Sequence, residues 1–261
     1  QLPVLQVEDG FLRSVGLGAD LVDPVSWVVD HQGVYYDATR PSDLETLLAT
    51  QQWTSAQCQR AAALRQRLVQ EAITKYNLQA EPWSRPAGQR RVVLVIGQVE
   101  SDASIRYGAP GLRTNRALLE AVRAAEPQAY LVYNRILMWW QGFAVPAHLR
   151  QLDHRRHVVG GFLGTAKRPF DAHRAYTLGQ VGACPDMVEP PAAVDEDAAA
   201  QLCDEVLPQG SIQQLFTQID ALHVLTSLAG FEALLRGLEV HCWGLPFYAG
   251  WGLTHDRERC G

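Results

Sequence analysis

The 261-residue chain has no apolar run long enough to cross a bilayer, which takes about 20 residues as a helix. It carries no signal-peptide pattern. Its five cysteines, Cys58, Cys184, Cys203, Cys242 and Cys260, include no Cys-x-x-Cys pair. An odd, scattered set points to a reducing compartment rather than a disulfide framework. No cysteine–histidine signature of a metal site is present, and no glycine-rich loop ends in a Walker lysine. No metal and no cofactor is expected. A basic excess is missing too. The net charge of −5 argues against general tracking of nucleic-acid phosphates, though it leaves room for a local basic pocket. There are no internal repeats and no low-complexity runs.

What is present is 47% hydrophobic, enough to bury a substantial core in one large domain or two mid-sized ones. The chain starts at Gln1 without a methionine and stops at Gly261 after a charged loop, so a fragment cut at both ends is expected. "LPVLQV" reads as a strand ending at Glu8-Asp9-Gly10, and "SWVVDHQGVYYD" as two strands around a turn at His31-Gln32-Gly33. Ser42 and Glu45 form a capping box, and helical periodicity runs from about Ser55 to Ile73. "QAEPWSRPAGQRR" reads as an interdomain linker. After it, Val92 to Gly97 is a β-branched run typical of a strand covered on both faces. A helix capped by Thr114 and stopped before Pro127 leads to the strand "AYLVY". "IDALHVLTS", "GFEALLRG" closed by Gly237, and "EVHCWG" follow as strand, helix and strand. The expected class is α/β, with residues 1–85 completing one Rossmann-like half and 90–261 forming a second.

Four segments carry chemistry. "GQVESDASIRYGAPGLRTN" lies where open α/β sheets place ligands, and joins Glu100 and Asp102 to Arg106 and Arg113 in a glycine-bearing loop. In "HVLTSLAGFEALLRG", Thr226 and Ser227 either hold a phosphate or sugar hydroxyl at a helix start or are a plain N-cap; Glu232 is placed to accept from ribose hydroxyls. "GLPFYAGWGLT" either closes on a ligand or docks on another domain. "EDGFLRSVGLG" is an acidic turn, or a base facing an acceptor, with Arg13 and Ser14 close in sequence. His223 and His241, on apolar strands, read as satisfied core histidines.

These blocks, with "YYDATRPSDLE", "TKYN" and "TNRALLEAVRAA", stand in one order along the chain, outside roughly 134–200. Together they resemble the capsule polysaccharide β-Kdo transferases of the capsular polysaccharide biosynthesis and export family. The resemblance implies a GT-B-like fold of two Rossmann-like halves, the first incomplete here. It implies transfer of Kdo, with retention, from CMP-Kdo to a lipid-linked Kdo acceptor. It further implies a cytoplasmic place at the inner face of the inner membrane, beside other capsule assembly proteins. Glu8-Asp9-Gly10 matches an acidic-glycine motif of transferases that use CMP-sugars, and Ser227 with Glu232 a serine/glutamate motif. On this reading Asp102 approaches the anomeric carbon, with Glu100 second. Glu8 or Asp9 is the acceptor base. Gln98, Ser104, Arg106, Arg113, Thr226, Ser227 and Glu232 bind the donor. Three alternatives stay open: a GT-B enzyme using a UDP-sugar, a non-catalytic assembly module, and an inactive product of a damaged gene.

The third alternative has a textual basis. After "YLVY" the family reads Lys-Pro-His-Pro-Asp-Val, whereas this chain reads "NRILMWWQG". Those residues can be encoded AAC CGC ATC CTG ATG TGG TGG CAG GG. Restoring one A at the front gives AAA CCG CAT CCT GAT GTG GTG GCA GG, which is Lys-Pro-His-Pro-Asp-Val-Val-Ala-Gly. Met138, Trp139 and Trp140 have single codons, so the Val-Val is forced. A one-base deletion after Tyr133 is expected, leaving 134–200 aberrant, with the frame recovered before about Asp204.

Overall fold

In the computed structural model, residues 5–16, 22–78, 82–88, 91–135, 196–207 and 212–258 are described. The segment expected to be out of frame lies outside the described residues except at its two ends.

Six described strands between Val92 and Asp256 build one sheet, every pairing parallel. Its strands are β3 (Val92–Ile96), β4 (Tyr130–Asn134), β5 (Glu205–Leu207), β6 (Ala221–Val224), β7 (Glu239–Cys242) and β8 (His255–Asp256). The spatial order is β5-β4-β3-β6-β7-β8. The chain therefore winds outward in one direction from β3 and in the other from β6. That is the doubly wound Rossmann arrangement, with its order reversing between β3 and β6. All five residues of β3 are buried, as a both-face run requires. Side-chain alternation divides them. Val92, Leu94 and Ile96 join one apolar cluster with Phe216, Ala233 and Phe247. Val93 and Val95 join another with Ile105, Leu118, Leu119 and Val122.

Helices cover both faces: α3 (Ala103–Gly108), α4 (Asn115–Ala125), α5 (Glu196–Leu202), α6 (Ile212–Leu215) and α7 (Ala229–Leu235). Thr114 caps α4 by accepting from Ala117 N–H. Gly237, at φ +77°, closes α7 as expected. Leu238 N–H reaches Ala233 O and Gly237 N–H reaches Leu234 O, the two bonds of a Schellman motif. The short α3 was not anticipated; its segment read as loop.

Residues 5–78 form a smaller unit: a two-stranded antiparallel sheet of β1 (Gln6–Asp9) and β2 (Trp27–Asp30), then α1 (Asp43–Thr50) and α2 (Ser55–Gln70). The Ser42/Glu45 capping box is present, and Thr54 with Gln57 makes a second. The expected hairpin around His31-Gln32-Gly33 does not form. The buried Asp30 carboxylate accepts from the N–H groups of Gln32, Gly33 and Asp43, folding the chain away from β2. β2 pairs with β1 instead. The segment read as an interdomain linker packs on the sheet unit where it is described: Trp83 Nε1 donates to Glu205, and Arg85 grips Asp220 and Gln218. Among the described residues no helix is long and apolar enough to cross a membrane.

Candidate functional site

Where the strand order reverses, the loops leaving β3 and β6 meet. Gln98 joins them. Its Oε1 accepts from Thr226 N–H at 2.8 Å, and its Nε2 donates to Thr226 Oγ1 at 3.0 Å. Thr226 Oγ1 in turn donates to Ser104 Oγ at 3.2 Å. Ser104 N–H is held by Asp102, the N-cap of α3, at 2.8 Å through Oδ1. Gln98, Ser104, Thr226 and Asp102 are thus linked by a continuous chain of hydrogen bonds. Asp102 is exposed, and its second carboxylate oxygen is spent on no described protein donor. Glycine makes this closeness possible. A Cβ on Gly244 would stand 2.8 Å from Gly108 O and 2.9 Å from Thr226 Cγ2.

The smaller unit supplies the opposite wall. Glu8 is the penultimate residue of β1 and accepts Asp9 N–H at 3.0 Å. Burial raises the Glu8 carboxyl above its ordinary range, and Asp9 and Asp102 add to this while Lys75 opposes it. Asp9 is committed elsewhere: Arg13 Nε meets Asp9 Oδ2 at 2.6 Å, and Arg13 is 1% exposed. The Tyr36 phenol is pushed up to about 12 by burial, with Glu8 and Asp102 adding to it. Tyr35 and Tyr36 also line a small cavity with Thr226, Leu228, Pro246, Phe247 and Tyr248.

Other expected residues are placed differently. Leu228, not Thr226 or Ser227, is the N-cap of α7; Ser227 Oγ accepts from Ala229 N–H at 3.3 Å. Glu232 is buried and turned to the smaller unit, where its Oε1 accepts Lys75 N–H at 2.6 Å. Burial raises its carboxyl to about 6 against the pull of that hydrogen bond, Arg236 and Lys75. Glu100 accepts from Asn115 N–H at 2.7 Å and so serves the start of α4. Arg113 Nε donates to Ala109 O, and Arg106 lies 5.5 Å from the Tyr107 ring; both are exposed. The aromatic segment 244–254 docks: Phe247 contacts Phe11, Tyr35 and Phe231 at ring separations of 5.2, 5.6 and 5.4 Å. Lys75, Tyr35 and Tyr36 were not singled out from sequence, although "TKYN" and "YYDATRPSDLE" contain them. No motif spacing marks a residue whose neighbours lie in another unit.

Folding also assembles a histidine ladder that spacing did not reveal. His223, His241 and His255 stack across β6, β7 and β8 at 4.2 and 4.6 Å. They are within metal-ligand reach of Glu126 and Glu239. Arg91, however, already holds both carboxylates, each through two hydrogen bonds. Trp243 Nε1 donates to His223 Nδ1, so the neutral ring carries its proton on Nε2, which cannot then ligate. The ring is kept neutral by burial, His241 and Arg257, which depress it to about 3. His223 and His241 are each only half satisfied: His223 Nε2 and His241 Nδ1 have no partner. The expectation of satisfied core histidines is corrected to that extent, because stacking aligns their faces and not their edges.

The family model of the capsule polysaccharide biosynthesis protein matches residues 1–82 and 195–260. The chain is 38% identical to the capsule polysaccharide modification protein LipA of Neisseria meningitidis serogroup A over 255 residues, 98% of this chain and 30% of LipA. It is 34% identical to the lipopolysaccharide-processing protein LpsZ of Rhizobium meliloti over 98% of this chain and 49% of LpsZ. It thus spans under a third of LipA and about half of LpsZ. Two solved structures of Thermosulfurimonas dismutans KpsC are similar at 31% identity over 99% of this chain. The β-Kdo 2,4-transferase has a TM-score of 0.68 with 67% of its chain covered, and the β-Kdo 2,7-transferase 0.66 with 63%. The matched ranges cover Lys75 and Glu232, whose hydrogen bond joins the smaller unit to the sheet, and the chain belongs to the capsule polysaccharide biosynthesis protein family.

Proposed function

We propose that this chain is the donor-binding part of a capsule glycosyltransferase that moves Kdo, with retention, from CMP-Kdo to a lipid-linked Kdo acceptor. The observation that carries the reading is the facing pair of acids. Asp102 stands exposed at the switch point of the sheet, within electrostatic reach of Glu8 on the other unit. The chain's likeness to the KpsC β-Kdo transferases supplies the sugar. Residues 1–85 act as the end of one Rossmann-like half and 90–261 as the other. The enzyme works at the cytoplasmic face of the inner membrane.

In the proposed reaction the free oxygen of Asp102 attacks the anomeric carbon as the bond to the CMP phosphate breaks. A glycosyl ester forms and CMP leaves. The acceptor hydroxyl then gives its proton to Glu8 and displaces Asp102, so two inversions give net retention. Glu8 is the better base of the two candidates, since Arg13 already holds Asp9. Its raised carboxyl moves its proton affinity toward neutral pH, as a general base needs.

The test compares Asp102→Asn with the parent, both carrying the restored Lys-Pro-His-Pro segment. Transfer from CMP-Kdo should fall by about three orders of magnitude or more, since a covalent nucleophile carries most of the rate. CMP affinity should stay within about twofold, because Asp102 faces the sugar. Near-normal transfer moves the role to Glu100. Tighter binding of UDP than CMP points to a different nucleotide-sugar.

A further inference from the structure

The turn at 74–77 fixes Lys75 at the seam by its main chain. Lys75 N–H donates to Glu232 Oε1 at 2.6 Å, and its carbonyl accepts from Arg13 N–H at 2.9 Å and Ser14 N–H at 3.1 Å. Thr74 and Asn77 close the turn with reciprocal bonds of 2.9 and 3.0 Å, and Asn77 Nδ2 reaches Ser14 O. The side chain takes no part in this anchoring. Among the described residues its ammonium forms no salt bridge; it stands 5.3 Å from the Tyr76 ring centroid. Both Glu8 and Glu232 feel its charge.

The groups around it are mostly acids. Glu8 is within electrostatic reach of Lys75, Asp9 and Asp102, and Glu232 accepts the turn's own N–H, while the Tyr35 and Tyr36 phenols stay neutral. Arg13, a cation of the same unit, is held by Asp9, Ser14 and Val22 O. The sugar of the proposed reaction bears a carboxylate on its anomeric carbon, so it must approach two carboxylates with a third. A cation has to meet it. Arg106 and Arg113 are exposed on their own segment. Lys75 is instead held at the seam, with three rotatable donors and a compact charge.

We propose that the Lys75 ammonium binds the carboxylate of the sugar acid, holding it beside Asp102 and Glu8. This rests on the transferase reading above. The same carboxylate chemistry belongs to the donor Kdo and to the acceptor Kdo, and kinetics separates them.

The experiment uses the full chain with the restored Lys-Pro-His-Pro segment; it measures Kdo transfer by Lys75→Met and Lys75→Arg in that background, and binding of free Kdo and its methyl ester by titration calorimetry. Lys75→Met should raise KM about tenfold or more, the order expected for one charged hydrogen bond, with kcat changed less. The rise falls on CMP-Kdo if the donor is held and on the acceptor if the acceptor is. Lys75→Arg should recover part of it. The unmutated chain should bind Kdo about tenfold more tightly than the ester, and Lys75→Met should lose that preference. The melting temperature should hold, since the main chain anchors the turn. Equal binding of acid and ester by the unmutated chain overturns the inference without any mutation. So does a Lys75→Met protein with unchanged KM. If the unmutated chain transfers Kdo normally, those results leave the transferase reading standing; a chain that binds neither CMP nor Kdo removes both.

Discussion

Glu232 illustrates how a single carboxylate can be expensive to bury and still be retained. It stands 7% exposed on α7 and receives a main-chain N–H from a turn 157 residues away in sequence. Burial lifts its carboxyl from 4.5 to about 6. The folded protein therefore holds this proton more tightly than the unfolded chain does between those values. Stability from this group is present below about pH 4.5 and is lost as pH rises through 6, by about 2 kcal/mol at 1.36 kcal/mol per unit. Glu232→Gln keeps an oxygen to accept Lys75 N–H and cannot ionise. Denaturant melts at pH 4.5, 5.5 and 7 should show the parent losing stability across that range, and the variant should lose less. Identical slopes would mean the carboxyl ionises without penalty. Glu239 moves oppositely: Arg91 holds its carboxyl down at about 2, so its contribution is lost only below the window measured.

The loops after β3, β6 and β7 are packed backbone against backbone, which is why glycine recurs there. Gly244 is the tightest case among them for main-chain contact. An added Cβ would meet Gly108 O at 2.8 Å and Leu225 O at 3.0 Å, neither of which is a side-chain end that can swing aside. Leu245 N–H also donates to Gly108 O at 2.6 Å, tying the loop after β7 to the end of α3. Gly244→Ala should cost about 1–3 kcal/mol of stability, as overpacking does. It should also pull Thr226 from Gln98, lowering affinity for CMP. Gly252→Ala, where φ is +77° but open space surrounds the site, is the comparison: strain without the clash. Titration of CMP with both variants checks this, and equal affinity in the two would detach the 244–245 loop from the site.

The two units are held together by a small aromatic cluster and the Lys75 turn. Phe247 stacks on Phe11 at 5.2 Å and 22°, and meets Tyr35 and Phe231 edge-on or tilted. Arg236 adds a bond to Ile73 O. Phe247 is 7% exposed, so Phe247→Ala should remove about 3–5 kcal/mol. It should also loosen residues 5–78 from the sheet, seen as faster proteolysis within that unit. Leu253→Ala, 69% exposed, should stay within about 0.5 kcal/mol. Uniform proteolysis across both units would show that the seam is held by other contacts. Because Glu8 and Asp102 come from opposite sides of this seam, Phe247→Ala should also depress transfer.

Much of the fold was readable from short stretches. The buried run Val92–Ile96, the Ser42/Glu45 box, the Thr114 cap and the Gly237 stop all appeared where composition and spacing put them. Each depends on atoms within a few residues: a side-chain oxygen three positions from its N–H, or a glycine tolerating positive φ. The α3 helix was missed because Asp102 was read for its charge rather than as a cap. The hairpin at His31 failed because Asp30 drew the main chain elsewhere. The site was legible as residue types but not as partners. Gln98 reaches Thr226 across 128 positions, Glu232 faces Lys75, and the histidines stack across three strands. Such contacts follow from strand order. Hydrophobic period says that a strand has two faces, but not which strand lies beside it.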